Sequence, residues 1–244
     1  MQIYEIITQL TNLPLHCRLP IQISQERLLA DYQNVIKQFR GEKQSGIYHD
    51  GGWKAIGLIT SGGEVYADKL ISGKPFLETP ALEECPYVRE ILSQLPGSKN
   101  RVRFMFLEPR SLIQWHRDRN ETIDGTISSR FHIPIITSSK IEFSICHNRC
   151  HWLPGHLYYG EFSFPHQIKS NWDQRRVHLV IDIVPNDDLR GLLPKSFLEE
   201  KQKRIIIRDL CEKSYFLQHR VPRKFRNELI KLKEKMIELS ERNV

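Results

Sequence analysis

Residues 101–118, RVRFMFLEPRSLIQWHRD, decide the reading of this chain. They hold two short strand-like runs, Arg101 to Leu107 and Leu112 to His116, separated by turn-forming residues. The second run ends on His116-Arg117-Asp118. Side chains two apart on a strand point the same way, so His116 and Asp118 face one pocket while Arg117 faces out.

Outward from this stretch the texture persists. Arg130 to Ile136, Ile141 to Cys146, His156 to Phe164 and Arg176 to Val184 read as further short strands between turns, which predicts a double-sheet jelly roll or barrel. Before it, the apolar residues Leu28, Leu29, Tyr32, Val35, Ile36 and Phe39 share one face of a predicted helix from about Gln25 to Phe39. Gly51-Gly52 and Gly62-Gly63 bracket a strand-like run from Trp53 to Thr60, and a second helix covers Tyr87 to Leu95 before Pro96-Gly97 ends it. After Pro185 the periodicity turns helical, and from Phe225 onward Leu229, Leu232, Met236 and Leu239 share one face.

Metal chemistry enters with a lone histidine, His166, placed just past the strand from His156 to Phe164. Two imidazoles and a carboxylate on one face, with other positions open, form the ligand set of non-haem iron(II) oxygenases. Ten residues further on, Arg176 opens the last strand, where its guanidinium can fork two hydrogen bonds onto the far carboxylate of 2-oxoglutarate. Arg130 and His132 share a face by the same two-residue rule and add a second cationic or hydrogen-bonding pair. Singly, each residue has an ordinary structural explanation. It is their order and spacing inside a predicted jelly roll that point to a metal site.

Leu107-Glu108-Pro109, His116-Arg117-Asp118, Arg130-Phe131-His132, Trp152-Leu153-Pro154-Gly155, Phe162-Ser163-Phe164-Pro165-His166 and Arg176 to Asp182 together resemble the aspartyl/asparaginyl β-hydroxylase family. Their order and intervals also look like those of the related bacterial L-proline cis-4-hydroxylases. The resemblance covers roughly residues 12 to 185. It implies a mainly β, cupin-like double-stranded β-helix, flanked by N-terminal helices, with iron(II), 2-oxoglutarate and dioxygen as cofactor and co-substrates.

Carried over by position, His116, Asp118 and His166 are the metal ligands, Arg176 is the 2-oxoglutarate arginine, and Arg130 with His132 meets the co-substrate's other end and the substrate carboxylate. Two departures matter. The animal peptide hydroxylases have glycine where this chain has Asp118, so its triad looks like the complete one of the bacterial branch. Met105 stands where those enzymes place a serine beside the 2-oxoglutarate carboxylate, so part of that contact differs or the alignment slips locally.

Composition bounds the rest. With 40% apolar and 27% charged residues and no long apolar window, the chain does not read as a membrane protein. Its N-terminus lacks a secretory pattern and its five cysteines follow no framework spacing, so a cytoplasmic protein with reduced thiols is expected. The formal charge of +7 lies mostly at one end: residues 195–244 carry 14 Lys and Arg against 8 Asp and Glu, a net of +6, which leaves +1 for the first 194. Interleaved acids make that end a solvated helical face rather than a nucleic-acid surface. Residues 1–185 are thus expected to form the oxygenase domain and 186–244 a basic helical extension packed on it, able to cover the jelly roll, build a dimer contact or lid the site. His147, Cys150 and His151 lack a fourth zinc ligand and read as a hairpin, with the turn at His147–Cys150 and Trp152 opening the next strand. Cys85 reads as a buried or partly buried thiol.

The leading expectation is a hydroxylase of an amino acid, free or within a peptide, releasing succinate and carbon dioxide. A non-catalytic metal-binding or sensing module, and an oxygenase that desaturates or otherwise oxidises its substrate, stand as alternatives. The loops from Thr60 to Pro80 and Asn120 to Ser129 shape the substrate pocket.

Overall fold

The structure, a computed structural model, describes residues 2–66, 71 and 73–220. In chain order its elements are α1 (Ile3–Leu10), β1 (His16–Gln22), α2 (Gln25–Gln38), β2 (Glu42–Lys43), β3 (Trp53–Ser61), β4 (Phe76–Glu78), α3 (Pro80–Glu83), α4 (Pro86–Gln94), β5 (Lys99–Leu107) and β6 (Leu112–His116). There follow β7 (Ser129–Ile136), β8 (Ile141–Ile145), β9 (Asn148–Arg149), β10 (His156–Gly160), β11 (His166–Ser170), β12 (Arg176–Ile183), α5 (Asp187–Gly191), α6 (Lys195–Glu199) and α7 (Lys201–Arg220).

The strands make two antiparallel sheets. The larger runs β1-β10-β7-β12-β5-β3-β2 with β4 added to β3, and the smaller runs β6-β11-β8-β9. This is the double-stranded β-helix expected from the sequence. The two faces of the larger sheet follow from the period of two in its central strands. Val177, Leu179, Ile181 and Ile183 of β12, with Val102, Phe104 and Phe106 of β5, point outward into a core closed by Leu28, Tyr32 and Val35 of α2 and by Val88 and Ile91 of α4. Arg176, His178, Val180 and Asp182 take the other face, toward the smaller sheet, and all four are buried. That polar row would be costly without partners. It is where the site lies.

Several boundaries differ from the sequence reading. The strand expected from His156 to Phe164 stops at Gly160, the next residues turn, and His166 opens β11 instead of trailing the earlier strand. The hairpin turns at Cys146 and His147, where Cys146 takes a positive φ of 47°, so Asn148 and Arg149 already pair with β8 and Trp152 lies outside any strand. No element had been assigned before Gln25, yet α1 and β1 form there. Pro20 is tolerated in β1 because that strand sits at the sheet edge, pairing only with β10 and with a register shift after Arg18. Cys85 is fully buried, and burial pushes its thiol well above the ordinary range. The apolar face read from Phe225 onward lies outside the described residues. No helix among the described residues is long and apolar enough to cross a membrane.

Candidate active site

His116 closes β6 and His166 opens β11, and the two are cross-strand partners with ring centroids 4.1 Å apart. A β-bulge between this pair and the next, Ile168 with Ile113, puts three residues of β6 opposite two of β11. The extra residue lets Ile113 and His116 both turn inward, which strict alternation forbids. Asp118 lies two residues beyond the strand, where its N–H donates to the Phe162 carbonyl at 3.0 Å.

The ligand atoms of His116, Asp118 and His166 all lie within 4.8 Å of one another, and among the described residues this is the only group of three or more His, Cys, Asp or Glu so placed. His147, Cys150 and His151 make no such group. Each histidine is oriented for a metal. Nδ1 of His116 faces the Gln114 carbonyl at 2.8 Å and Nδ1 of His166 the Phe164 carbonyl at 3.0 Å. A carbonyl only accepts, so both Nδ1 atoms carry the proton and both Nε2 lone pairs are free to ligate. Burial first, and then His116 alongside, push His166 down to about 3, which keeps it neutral. Burial alone would push the Asp118 carboxyl up, but the Arg130 guanidinium holds it well below the usual carboxylate range. Two imidazoles and one carboxylate fit iron(II).

Phe162 packs its ring edge 4.9 Å from His166 and lies against Gly160. A Cβ at position 160 would come within 2.7 Å of that ring. Gly160→Ala is therefore expected to displace Phe162 and to cost about 1–3 kcal/mol in urea unfolding.

Arg176 is 4% exposed and shares with the triad a narrow cavity of about 30 Å³ between the sheets. Its Nη2 donates to Nδ1 of His178 at 3.0 Å, and among the described residues no carboxylate pairs with it. Burial lowers its pKa to about 9. His132 Nδ1 lies 3.3 Å from the same His178 nitrogen, and Nε2 of both histidines is buried without a partner. A buried cation with no counter-ion, beside two unsatisfied ring nitrogens, is a site that lacks an anionic ligand. Met105 stands directly opposite His178 in register and also lines this cavity, so a polar histidine serves Arg176 where Met105 does not.

Arg130 and His132 do not act as a pair. His132 joins His178 and Arg176, whereas all three nitrogens of the Arg130 guanidinium are taken by carboxylates. Nε donates to Asp182 at 2.7 Å, Nη2 to Asp182 and Glu121 at 3.1 Å each, and Nη1 to Asp118. Four of its five N–H donors are thus engaged, one on Nη1 is left for the co-substrate or substrate carboxylate expected there, and Arg130 orients the Asp118 carboxylate.

Asp182, fully buried, anchors this network. It stands in register between Arg101 of β5 and Arg130 of β7, and it also accepts from Arg103 at 3.2 Å. Arg103 is 4% exposed and its Nε has no partner. It lines an outer pocket of about 510 Å³ together with Arg101, Arg119, Glu121 and Lys74. Asp118 and Arg130 border both this pocket and the inner cavity, so the metal site lies where the two meet. His178, Asp182, Glu121 and Arg103 escaped the sequence reading. The two-residue rule that found His116 and Asp118, applied along β12 from Arg176, reaches His178 and Asp182 directly.

A family model described as aspartyl/asparaginyl β-hydroxylase matches residues 21–185, more than half of the chain. Among solved structures, an oxidoreductase of the 2OG-Fe(II) oxygenase family from Burkholderia pseudomallei is similar at 12% identity and a TM-score of 0.47, over 74% of this chain and 88% of that one. A prolyl hydroxylase from Trichoplax adhaerens, in complex with a hypoxia inducible factor peptide fragment, gives 11% and 0.45 over 79% and 93%. A Pseudomonas putida prolyl-4-hydroxylase gives 9% and 0.43 over 75% and 98%. At this level of similarity they add nothing to the geometry above. The family match takes in His116, Asp118, His166 and Arg176 alike, and the chain belongs to the aspartyl/asparaginyl β-hydroxylase family, as a non-haem iron oxygenase that uses iron(II), 2-oxoglutarate and dioxygen.

Proposed function

We propose that His116, Asp118 and His166 hold the iron, that Arg176 with His178 and His132 receives 2-oxoglutarate, and that the reaction hydroxylates an amino acid, free or as an Asp-, Asn- or Pro-like residue of a peptide. The observation that carries the co-substrate reading is the uncompensated Arg176, buried in the same cavity as the triad. Bound iron and dioxygen supply the oxidising chemistry, with succinate and carbon dioxide as the co-products. The protein's own groups do the rest. Arg130 fixes the Asp118 carboxylate, the two histidines present Nε2, and Trp53, Phe162 and Ile168 keep the cavity apolar.

The outer pocket supports an amino-acid substrate. Arg103, whose buried Nε has no partner, lines it, and Arg101 and Arg119 add positive charge, which suits a substrate carboxylate. Glu121 offers the one oxygen, Oε2, that Arg130 and Arg101 do not use. Residues 1–185 would then form the oxygenase domain, with the helices beyond β12 packed on it.

Succinate formation by the iron-loaded protein, with amino acids and short Asp-, Asn- and Pro-containing peptides as prime substrates, tests the reading. Stimulation by one of them with a product heavier by one oxygen supports hydroxylation. Loss of two hydrogens would convert the reading to desaturation, and no succinate under any condition would refute it. Arg176→Met is expected to raise the 2-oxoglutarate concentration for half-maximal turnover by about 10- to 100-fold, the equivalent of one charge-assisted hydrogen-bond pair of roughly 1.5–3 kcal/mol. The same variant removes an unpaired buried cation, so its apo-protein should melt no lower than the wild type.

A further inference from the structure

The basic extension accounts for much of the chain's charge, yet the family match stops at residue 185, before α5. We propose that α7 is a positioning strut for the segment that carries two of the metal ligands. The inference rests on the reading of His116 and Asp118 as iron ligands. Its content is that their placement depends on side chains outside the matched region.

The contacts run in strict antiparallel order. Tyr215 Oη donates to the Trp115 carbonyl at 3.0 Å. Glu212 pairs with Arg117 at 2.8 Å. Arg208 Nη1 donates to Thr122 Oγ1 at 2.9 Å and to Ser163 Oγ at 3.4 Å. Arg204 grips both oxygens of Asp124, at 2.9 and 3.0 Å. These residues recur at three- and four-residue intervals and share one face of the helix. Their targets span residues 115–124, which include His116 and Asp118.

That segment lies outside the sheets. β6 ends at His116, and from Arg117 to Ile127 the backbone joins no named strand. The body holds it as well, through Asp118 N–H to Phe162, Ser163 N–H to Glu121, Arg117 Nε to the Ser163 carbonyl at 2.8 Å, Ile123 N–H to Tyr159 Oη at 2.8 Å, the pairing of Asp118 and Glu121 with Arg130, and Arg190 on the Ile123 and Gly125 carbonyls. Arg204 is buried with Asp124, so that contact is shielded from water, whereas Arg117, 7% exposed on its side chain, meets a half-exposed Glu212. The cations of α7 thus answer carboxylates of the body, Asp124 and, at 3.9 Å from Arg208, Glu161.

The test compares full-length wild type with Glu212→Gln, Arg208→Met and Arg208→Lys. Iron(II) affinity is measured anaerobically with 2-oxoglutarate present, by the charge-transfer absorption of the ternary complex, beside the melting temperature of the apo-protein. Loss of groups that orient ligands is expected to weaken iron binding by about 10- to 100-fold in Arg208→Met, and by about 10-fold in Glu212→Gln. Arg208→Lys, which keeps a donor within reach of Thr122 and Ser163, should recover most of the affinity. Glu212 is 44% exposed on its side chain, so that variant folds whatever becomes of the other. Lower melting temperatures with wild-type iron affinity in the folded variants would make α7 a merely structural helix and overturn the inference. A wild type that binds no iron would instead fail the metal-centre reading itself, and this inference with it.

Discussion

His166→Ala is expected to leave a folded protein that binds no iron(II) at micromolar concentration and forms no succinate above background, with or without a prime substrate. The variant removes one of the three proposed protein ligands and the cross-strand partner of a second, since His166 and His116 face each other at the same register position. Two ligands, one of them on a segment outside any strand, do not define a site with open positions on one side only. The fold should survive. His166 begins β11, whose backbone pairing with β8 continues through Ser170, and the lost ring leaves a cavity worth about 2–4 kcal/mol, within the stability of a domain this size. Anaerobic metal titration and succinate assay on a variant with wild-type circular dichroism check this. Stoichiometric iron binding by the folded variant would remove His166 from the ligand set.

The sequence carried the site because the chemistry rests on local spacing. His116 and Asp118 are two apart, Arg176 begins a run of alternating side chains, and the outward members of that run, Val177, Leu179, Ile181 and Ile183, are apolar enough to announce a covered sheet face. What it did not carry depends on register between distant strands. Nothing near Arg130 in sequence says that Asp182, fifty-two residues on, stands opposite it, so the carboxylates that engage most of its guanidinium are not foreseen from the sequence. The bulge that turns Ile113 and His116 to the same side is equally a property of pairing with β11. The end of β10 at Gly160 was hidden because the apolar residues Phe162 and Phe164 extend the strand-like pattern into what is a turn. The acids that interleave with the basic residues beyond Phe225 lie outside the described residues. In the structure Arg204 and Arg208 reach Asp124 and Glu161, more than forty residues away along the chain.

The polar row on the inner sheet face meets the metal site at Asp182, and this residue should show the largest stability effect in the molecule. Asp182→Asn keeps the shape but removes the charge that Arg101, Arg103 and Arg130 share. Stranding buried cations in this way costs about 3–5 kcal/mol, which urea unfolding of the apo-protein will read as a lower midpoint at unchanged slope. The pH dependence follows from the sign of the shift. Burial opposes ionisation of Asp182, but Arg130, Arg101 and Arg103 outweigh it and hold the carboxyl well below the usual range. A carboxylate depressed on folding contributes stability that is complete above the unfolded value of about 4 and is lost as pH falls from there toward the folded one. Wild type should therefore lose stability steeply below about pH 4, and Asp182→Asn less steeply. Arg130 gives up its firmest partner in the variant and turns more fully onto Asp118, so iron affinity should fall as well, by about 10- to 100-fold. A variant as stable as wild type at neutral pH would mean that Glu121 and Asp118 alone balance the three arginines, and that the row tolerates the loss of its central charge.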